Sequence, residues 1–222
     1  MGMKAFVSWS GGKDTSLALY KAKKIHNLEV KYLLNMVSED GMRSRSHGLG
    51  SELLKIQAQA MGIPIVQRKT TRQDYEEEFK KAVASFVKEG VRAGVFGDID
   101  FQEHRDWIER VCKEVGIKPI LPLWKEKRED LLKEFIDVGF RATVVTTQAG
   151  LLGKEWLGRE VNQKFVEDLR LSDNVDLCGE KGEYHTFVYD GPMFKKRIEI
   201  TKSAPRYKKK RWFLDILKWR IV

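Results

Sequence analysis

Ala5-Phe6-Val7-Ser8-Trp9-Ser10-Gly11-Gly12-Lys13-Asp14-Thr15 decides how the rest of the chain is read. A short apolar run ends in a turn rich in Ser and Gly, and a helical pattern with Ala18 and Ala22 on one face follows at once. A strand that feeds a helix through such a turn leaves several backbone N–H groups without intrahelical partners, with the positive end of the helix dipole behind them. That spot suits an anion. Lys13 adds a point charge able to reach phosphate oxygens, and the hydroxyls of Ser10 and Thr15 add donors at the rim. The same letters also admit a plainer reading, an ordinary glycine turn capped by Asp14.

The loop differs from the commoner phosphate loops. A Walker motif needs a glycine five places before its final Gly-Lys pair and a Ser or Thr straight after the lysine. Val7 and Asp14 stand there instead, and no third glycine completes a dinucleotide motif. Ser10 to Thr15 resembles the pyrophosphate loop of the ATP pyrophosphatases, which cleave ATP between its α and β phosphates to activate an oxygen as an adenylate. The resemblance implies ATP and leaves the acceptor of the adenylate unnamed.

Two hundred and twenty-two residues, 42% of them hydrophobic, suffice for one large core or two modest domains. No apolar run approaches the roughly 20 residues of a membrane span. The Met-Gly-Met-Lys start has no secretory apolar region, so the expectation is a cytoplasmic chain without a membrane partner. Cys112 and Cys178 match no metal spacing, Cys112 falls on an apolar helix face, and neither a disulfide nor zinc is expected. A net charge of +9 favours an acidic partner such as nucleotide, RNA or a ribosomal factor, while 33% charged residues also suits a surface laced with ion pairs. The densest basic run, Arg206-Tyr207-Lys208-Lys209-Lys210-Arg211-Trp212, reads either as an RNA contact or as a basic edge before a strand.

Short apolar runs at Ala5–Val7, Tyr32–Val37, Ile63–Val66, Ala93–Phe96 and Ile120–Leu121 read as buried strands. Between them lie helical faces: Ala18, Ala22 and Ile25; Leu54, Ala58 and Met61; Tyr75, Phe79, Val83 and Phe86; Ile108, Val111, Cys112 and Val115. This alternation predicts an α/β fold, a Rossmann-like parallel sheet with helices on both faces, which the resemblance to the ATP pyrophosphatases implies is of the HUP type. Ligands of such sheets bind at the carboxyl ends of the strands. That rule selects Ser38-Glu39-Asp40-Gly41 with the segment through Arg43, Arg45 and His47, and Gly97-Asp98-Ile99-Asp100. Gly97 there permits close approach of backbone to ligand, and a carboxylate beside phosphates implies Mg²⁺ between them. Asp98 or Asp100 could instead cap the helix containing Ile108.

Past Pro122-Leu123-Trp124 the pattern changes. A helix with Leu131, Leu132, Phe135 and Ile136, a strand Ala142–Thr146, and a helix through Val161, Phe165 and Leu169 precede three strands, Tyr184–Val188, Ile198–Ile200 and Trp212–Trp219. The expectation is an ATP-binding domain over residues 1–124 and a smaller C-terminal α+β substrate-recognition domain over 125–222.

Cys178-Gly179-Glu180-Lys181-Gly182-Glu183-Tyr184 concentrates acidity within a basic chain, either as a solvated hairpin loop or as a site for a cationic substrate. With this segment, running on to Phe194, the chain resembles the diphthine-ammonia ligase family over nearly its whole length. The resemblance also rests on Gln57–Pro64, Phe96–Ile99, Glu109–Cys112, Pro122–Trp124 and Trp156–Arg159. The family motif often reads Glu-Gly-Gly-Glu, and Lys181 here replaces the inner glycine. Where eukaryotic relatives carry a second arginine this chain has Trp107, leaving Arg105 as the candidate on that helix.

The resemblance implies that ATP adenylates the carboxylate of diphthine on elongation factor 2, pyrophosphate leaves, and free ammonia attacks the mixed anhydride. It assigns Ser10, Gly11, Gly12, Lys13, Asp14 and Thr15 to the phosphates, with Ser10, Lys13 and Asp14 nearest the chemistry. Met36 would line the adenine pocket; His47, Gly97 and Asp98 would close the nucleotide site. Asp14 and Asp98 would hold Mg²⁺, although Asp14 reads equally well as a helix cap. Glu180 and Glu183 would face the trimethylammonium group, with Tyr184 adding a cation–π contact and Arg105 a further contact to substrate. The residues leave a homodimer and RNA contact open. They also leave open adenylation of a tRNA base, or a non-catalytic ATP-binding sensor.

Overall fold

The computed structural model describes residues 2–222, and Met1 lies outside them. Its contacts divide the chain into two compact units. The first comprises the residues up to Ser10 with Asp14–Lys125, the second Gly11–Lys13 with Glu126–Val222.

In the first unit β1 (Lys4–Ser8), β2 (Glu29–Val37), β3 (Ile65–Lys69), β4 (Ala93–Val95) and β5 (Lys118–Ile120) form a five-stranded parallel sheet in the order β3-β2-β1-β4-β5. The central strand is β1, whose Ala5, Phe6 and Val7 are fully buried, as an apolar run without alternation demands. Helices α1 (Lys13–Lys24), α2 (Ser51–Met61), α3 (Tyr75–Lys88) and α4 (Gln102–Glu114) connect the strands. Phe79, Val83 and Phe86 of α3 and Ile108, Val111 and Cys112 of α4 close a core with Phe6, Leu34, Met36 and Phe96. The strand order reverses on either side of β1, so the loops after β1 and β4 flank the switch point where such sheets bind ligands.

The second unit is an antiparallel sheet of β6 (Arg141–Gln148), β7 (Tyr184–Asp190), β8 (Ile198–Lys208) and β9 (Arg211–Ile221), in the order β7-β6-β9-β8. Helices α5 (Arg128–Asp137) and α6 (Gln163–Arg170) accompany it. Asn162 caps α6, its side chain accepting the Phe165 N–H at 3.0 Å. β9 reaches β6 only along Thr146–Gln148. Nearer its start β6 bonds instead to Gly158–Val161, through Val144 N–H to Arg159 and Val161 N–H to Ala142.

Several elements differ from the sequence reading for local reasons. β3 begins at Ile65 rather than Ile63, because Gly62 ends α2 in a left-handed turn (φ 69°) and Pro64 cannot donate to the ladder. β5 runs over Lys118–Ile120, since its register starts with Ala93 opposite Lys118. Ile25 is 65% exposed because α1 stops at Lys24. The basic run spans a hairpin: Arg206–Lys208 end β8, an edge strand, and Arg211–Trp212 begin β9. Among the described residues no helix is long and apolar enough to cross a membrane.

Candidate active site

In the first unit the chain leaving β1 is anchored by buried polar groups. Trp9 is buried and donates its indole N–H to Gln57 Oε1 at 2.9 Å. Its carbonyl accepts from Asn35 Nδ2 at 2.8 Å, and the same amide nitrogen reaches Ser44 Oγ at 2.9 Å. Asn35 Oδ1 accepts from Gln67, which also donates to the Ser51 carbonyl. Alternation along β2 turns Leu34 and Met36 to the core and Asn35 to the opposite face, where this network ties the loops after β1 and β2 together.

Ser10 Oγ and Thr15 Oγ1 lie 3.1 Å apart, and Asp14 occupies the first turn of α1, where its charge complements the helix dipole. Gly97 is set by packing: a Cβ there would meet the Asp14 carbonyl carbon and the Thr15 nitrogen at 3.0 Å. The loops after β1 and β4 therefore touch backbone to backbone. Asp98 does not cap α4; Phe101 holds the cap position without a side-chain bond, and Asp98 Oδ1 lies 3.0 Å from His104 Nδ1. Burial pushes the Tyr75 hydroxyl pKa up, and the Asp98 charge pushes it the same way. His47 is half-buried in a turn held by bridges from Val37 to Ser44 and Arg43 to Gly50, so the segment after β2 is an ordered excursion. Met36 lies in the core, and its carbonyl accepts the Arg45 N–H. Arg105 pairs with Glu109 at 2.6 Å and stacks 5.0 Å from the Trp124 ring centre.

In the second unit Gly11 (φ 83°) presents its carbonyl to the Val188 N–H, and the Lys13 N–H donates to Thr186 Oγ1 at 3.0 Å. Lys13 is 5% exposed. Its ammonium donates to the Cys178 carbonyl at 2.5 Å and lies 5.5 Å from the Tyr184 ring centre. Tyr184 is itself buried, donating its hydroxyl to the Leu177 carbonyl, so the cation on its ring is Lys13.

The acidic loop is organised by Asp176, which the sequence reading did not single out. Its Oδ1 accepts from Cys178 N–H at 2.9 Å and from Glu180 N–H at 3.3 Å, while Oδ2 pairs with Arg128 at 2.5 Å. Burial alone would raise the Asp176 carboxyl pKa; Arg128 and the two N–H donors outweigh it and hold it below its ordinary value. Its own N–H donates to Glu183 Oε1, and Glu183 Oε2, on a side chain 1% exposed, has no protein partner. Gly179 (φ 70°) and Gly182 (φ 81°) supply the left-handed turns, whereas Lys181 is absent from the positive-φ positions. Lysine in place of the inner glycine is therefore accommodated without backbone strain.

Asp14 and Asp98 are the acidic residues the sequence reading offered to a metal. Among the described residues no three His, Cys, Asp or Glu gather as a protein-only metal site. Mg²⁺ that accompanies a nucleotide typically takes one or two carboxylates and completes its shell with phosphates and water, which fits so sparse a donor set.

The diphthamide synthase N-terminal domain profile matches residues 3–119, and the C-terminal domain profile matches residues 127–222. The chain belongs to the diphthamide synthase family. It is 30% identical over 220 residues to a protein of Homo sapiens named diphthine–ammonia ligase, covering 87% of this chain and 81% of that one. The Mus musculus protein of the same name agrees equally, and a Schizosaccharomyces pombe one is 28% identical over 90% of this chain but only 36% of its own length. A solved structure titled as a predicted subunit of tRNA methyltransferase from Methanocaldococcus jannaschii shares 17% identity, with a TM-score of 0.44 over 86% of this chain and 98% of its own. That score is below the level at which a shared fold is established.

Within this family member, the residues that sequence reasoning missed are polar ones at different depths, Asn35 buried, Asp176 and Arg128 partly buried and His104 exposed. Asn35 had a visible signal, an amide inside Leu33-Leu34-Asn35-Met36-Val37. Asp176 had a weaker one, an Asp two residues before Cys178 and thus placed for an Asx turn. His104 and Arg128 had none.

Proposed function

We propose that this diphthamide synthase family member is an ATP-dependent ligase that amidates the diphthine carboxylate of elongation factor 2 with ammonia. A carboxylate oxygen attacks the α-phosphorus of ATP, the bond to the β-phosphate breaks, and pyrophosphate leaves. Ammonia then attacks the acyl carbon, AMP departs with the electron pair, and the nitrogen gives up a proton. Both steps move negative charge onto phosphate oxygens, which a fixed ammonium and backbone N–H donors stabilise electrostatically. Lys13, buried at the start of α1 and fixed by the Cys178 carbonyl, is the observation that carries this reading, because an ammonium held in place beside a helix N-terminus is preorganised to stabilise charge developing on phosphate oxygens.

Ser10, Gly11, Gly12 and Thr15 would join Lys13 around the phosphates, and Met36, His47 and Gly97 would border the nucleotide. Asp14 and Asp98 would hold Mg²⁺, which supplies charge neutralisation to the phosphates. Glu180 and Glu183 would receive the trimethylammonium group; the unpartnered oxygen of Glu183 supports that role. Tyr184 supports Lys13 from its ring face, and Arg105 would contact the protein substrate.

The test is mass spectrometry of diphthine-bearing elongation factor 2 after incubation with this protein, ATP, Mg²⁺ and ammonium. Conversion of acid to amide with release of AMP and pyrophosphate is expected, and is lost in Lys13→Ala. Release of ADP and phosphate would overturn the adenylate step.

A further inference from the structure

The β8–β9 hairpin concentrates positive charge at its tip, where Lys208, Lys209, Lys210 and Arg211 are consecutive. β8 is the outer strand of its sheet, and the hairpin tip is a two-residue turn in which Lys209 (φ 51°) and Lys210 (φ 59°) are both left-handed. Such a turn favours Asn-Gly, because a larger side chain is disfavoured at positive φ. Lys208 lies directly opposite Arg211, and Lys202 opposite Lys218, although like charges across a ladder oppose pairing. The two carboxylates of the hairpin are taken by its arginines: Arg206 Nε lies 2.6 Å from Asp215, and Arg220 Nε 2.7 Å from Glu199.

Beside this tip, Tyr207 and Trp212 pair in register with ring centres 4.8 Å apart, and Tyr207 is 54% exposed. Alternation places the two rings on one face with Pro205 and Leu214, and Lys208 and Arg211 on the other. An open aromatic face therefore sits within one residue of four consecutive cations.

We propose that the hairpin tip binds single-stranded RNA, with the Tyr207 ring stacking on a base and Lys208, Lys209 and Lys210 meeting the neighbouring phosphates. An acidic protein surface would satisfy the lysines and leave the exposed ring unused. A duplex offers phosphates but no open base faces. Stacking on an aromatic ring tolerates any base, so the site has little sequence preference. It is independent of the ligase reading, and either can fail alone.

The experiment is fluorescence anisotropy of a labelled single-stranded RNA of about 12 nucleotides, titrated with the full chain at about 50 and about 200 mM salt. Wild-type protein binds, more weakly at the higher salt. Tyr207→Ala weakens binding by about tenfold or more. Lys209→Asn with Lys210→Gly lowers the salt slope by about 1.4, at about 0.7 per phosphate contact. The same double substitution raises Tm, since Asn-Gly suits the turn, and so reports that the hairpin is intact. Absence of binding at the lower salt would overturn the proposal. So would binding of duplex RNA or a polyglutamate peptide as tightly as the single strand, unchanged by Tyr207→Ala.

Discussion

Gly97 and Asp14 approach so closely that even a methyl group would crowd them: a Cβ at position 97 would lie 3.0 Å from the Asp14 carbonyl carbon. The opposing atoms are backbone, so they cannot swing aside as the end of a long side chain would. Gly97→Ala forces the loop after β4 away from the start of α1, at the ~1–3 kcal/mol typical of overpacking. Calorimetry is expected to show a lower Tm and a smaller Tm rise on adding ATP. An unchanged ATP-induced rise would mean that this contact does not shape the nucleotide site.

Asn35 is fully buried, and its side-chain amide serves Trp9, Ser44 and Gln67. Asn35→Leu supplies similar volume but strands the Trp9 carbonyl and the Ser44 hydroxyl. Unsatisfied buried groups cost ~1–3 kcal/mol each. Urea unfolding should show a lower midpoint with little change in slope, because the denatured chain is not altered in compactness.

Glu76 joins α3 to α4: it accepts from Arg110, Lys80 and the Trp107 indole. Arg110, then Lys80, hold its carboxyl pKa below the ordinary 4.5 despite the opposing effect of burial. A carboxylate with a depressed folded pKa stabilises the fold above its unfolded pKa, and that contribution is lost as pH falls through the folded value. Thermal scans from about pH 7 down to about pH 3 should show a steeper acid limb in wild type than in Glu76→Gln, with the gap between the two curves narrowing toward the acid end.

Lys13 bonds to the Cys178 carbonyl, and the Cys178 Sγ donates to the Arg128 carbonyl at 3.0 Å. Lys13→Met should therefore cost ~10²–10³-fold in pyrophosphate release, the usual scale for losing one electrostatic donor. Cys178→Ser should leave amidation near the wild-type rate. A large loss in Cys178→Ser would point to a thiol relay for the nitrogen.

The sheet of the first unit was legible because buried parallel strands are apolar runs, and Ala5–Val7 and Ala93–Phe96 are too short and too apolar for surface helices. The loop after β1 was read from its own Ser- and Gly-rich letters, and the rule that ligands bind at the carboxyl ends of the strands led from there to the segment after β2 and to Gly97. Most of β8 was not legible: Thr201–Lys208 lies exposed at a sheet edge and carries no alternation of apolar residues. In the candidate site, letters with chemistry of their own stood out, such as Lys13 and Glu180. Asn35, Asp176 and Arg128 act by bonding to backbone or to partners many residues away, and nothing in their immediate sequence announces those partners.

Gly11, Gly12 and Lys13 are counted with the second unit because Val188, Thr186 and Cys178 hold them. Two family profiles cover the chain as consecutive segments, yet the boundary in space does not follow the boundary in sequence. A fragment ending at Lys125 would expose a carbonyl, an amide and an ammonium whose partners had been cut away. A chimera joining this N-terminal segment to another relative's C-terminal segment would regain the main-chain partners at 178 and 188 with almost any residue there, but the Lys13 N–H would keep its partner only where Ser or Thr stands at position 186. Recombination between relatives is thus constrained chiefly by that one hydroxyl.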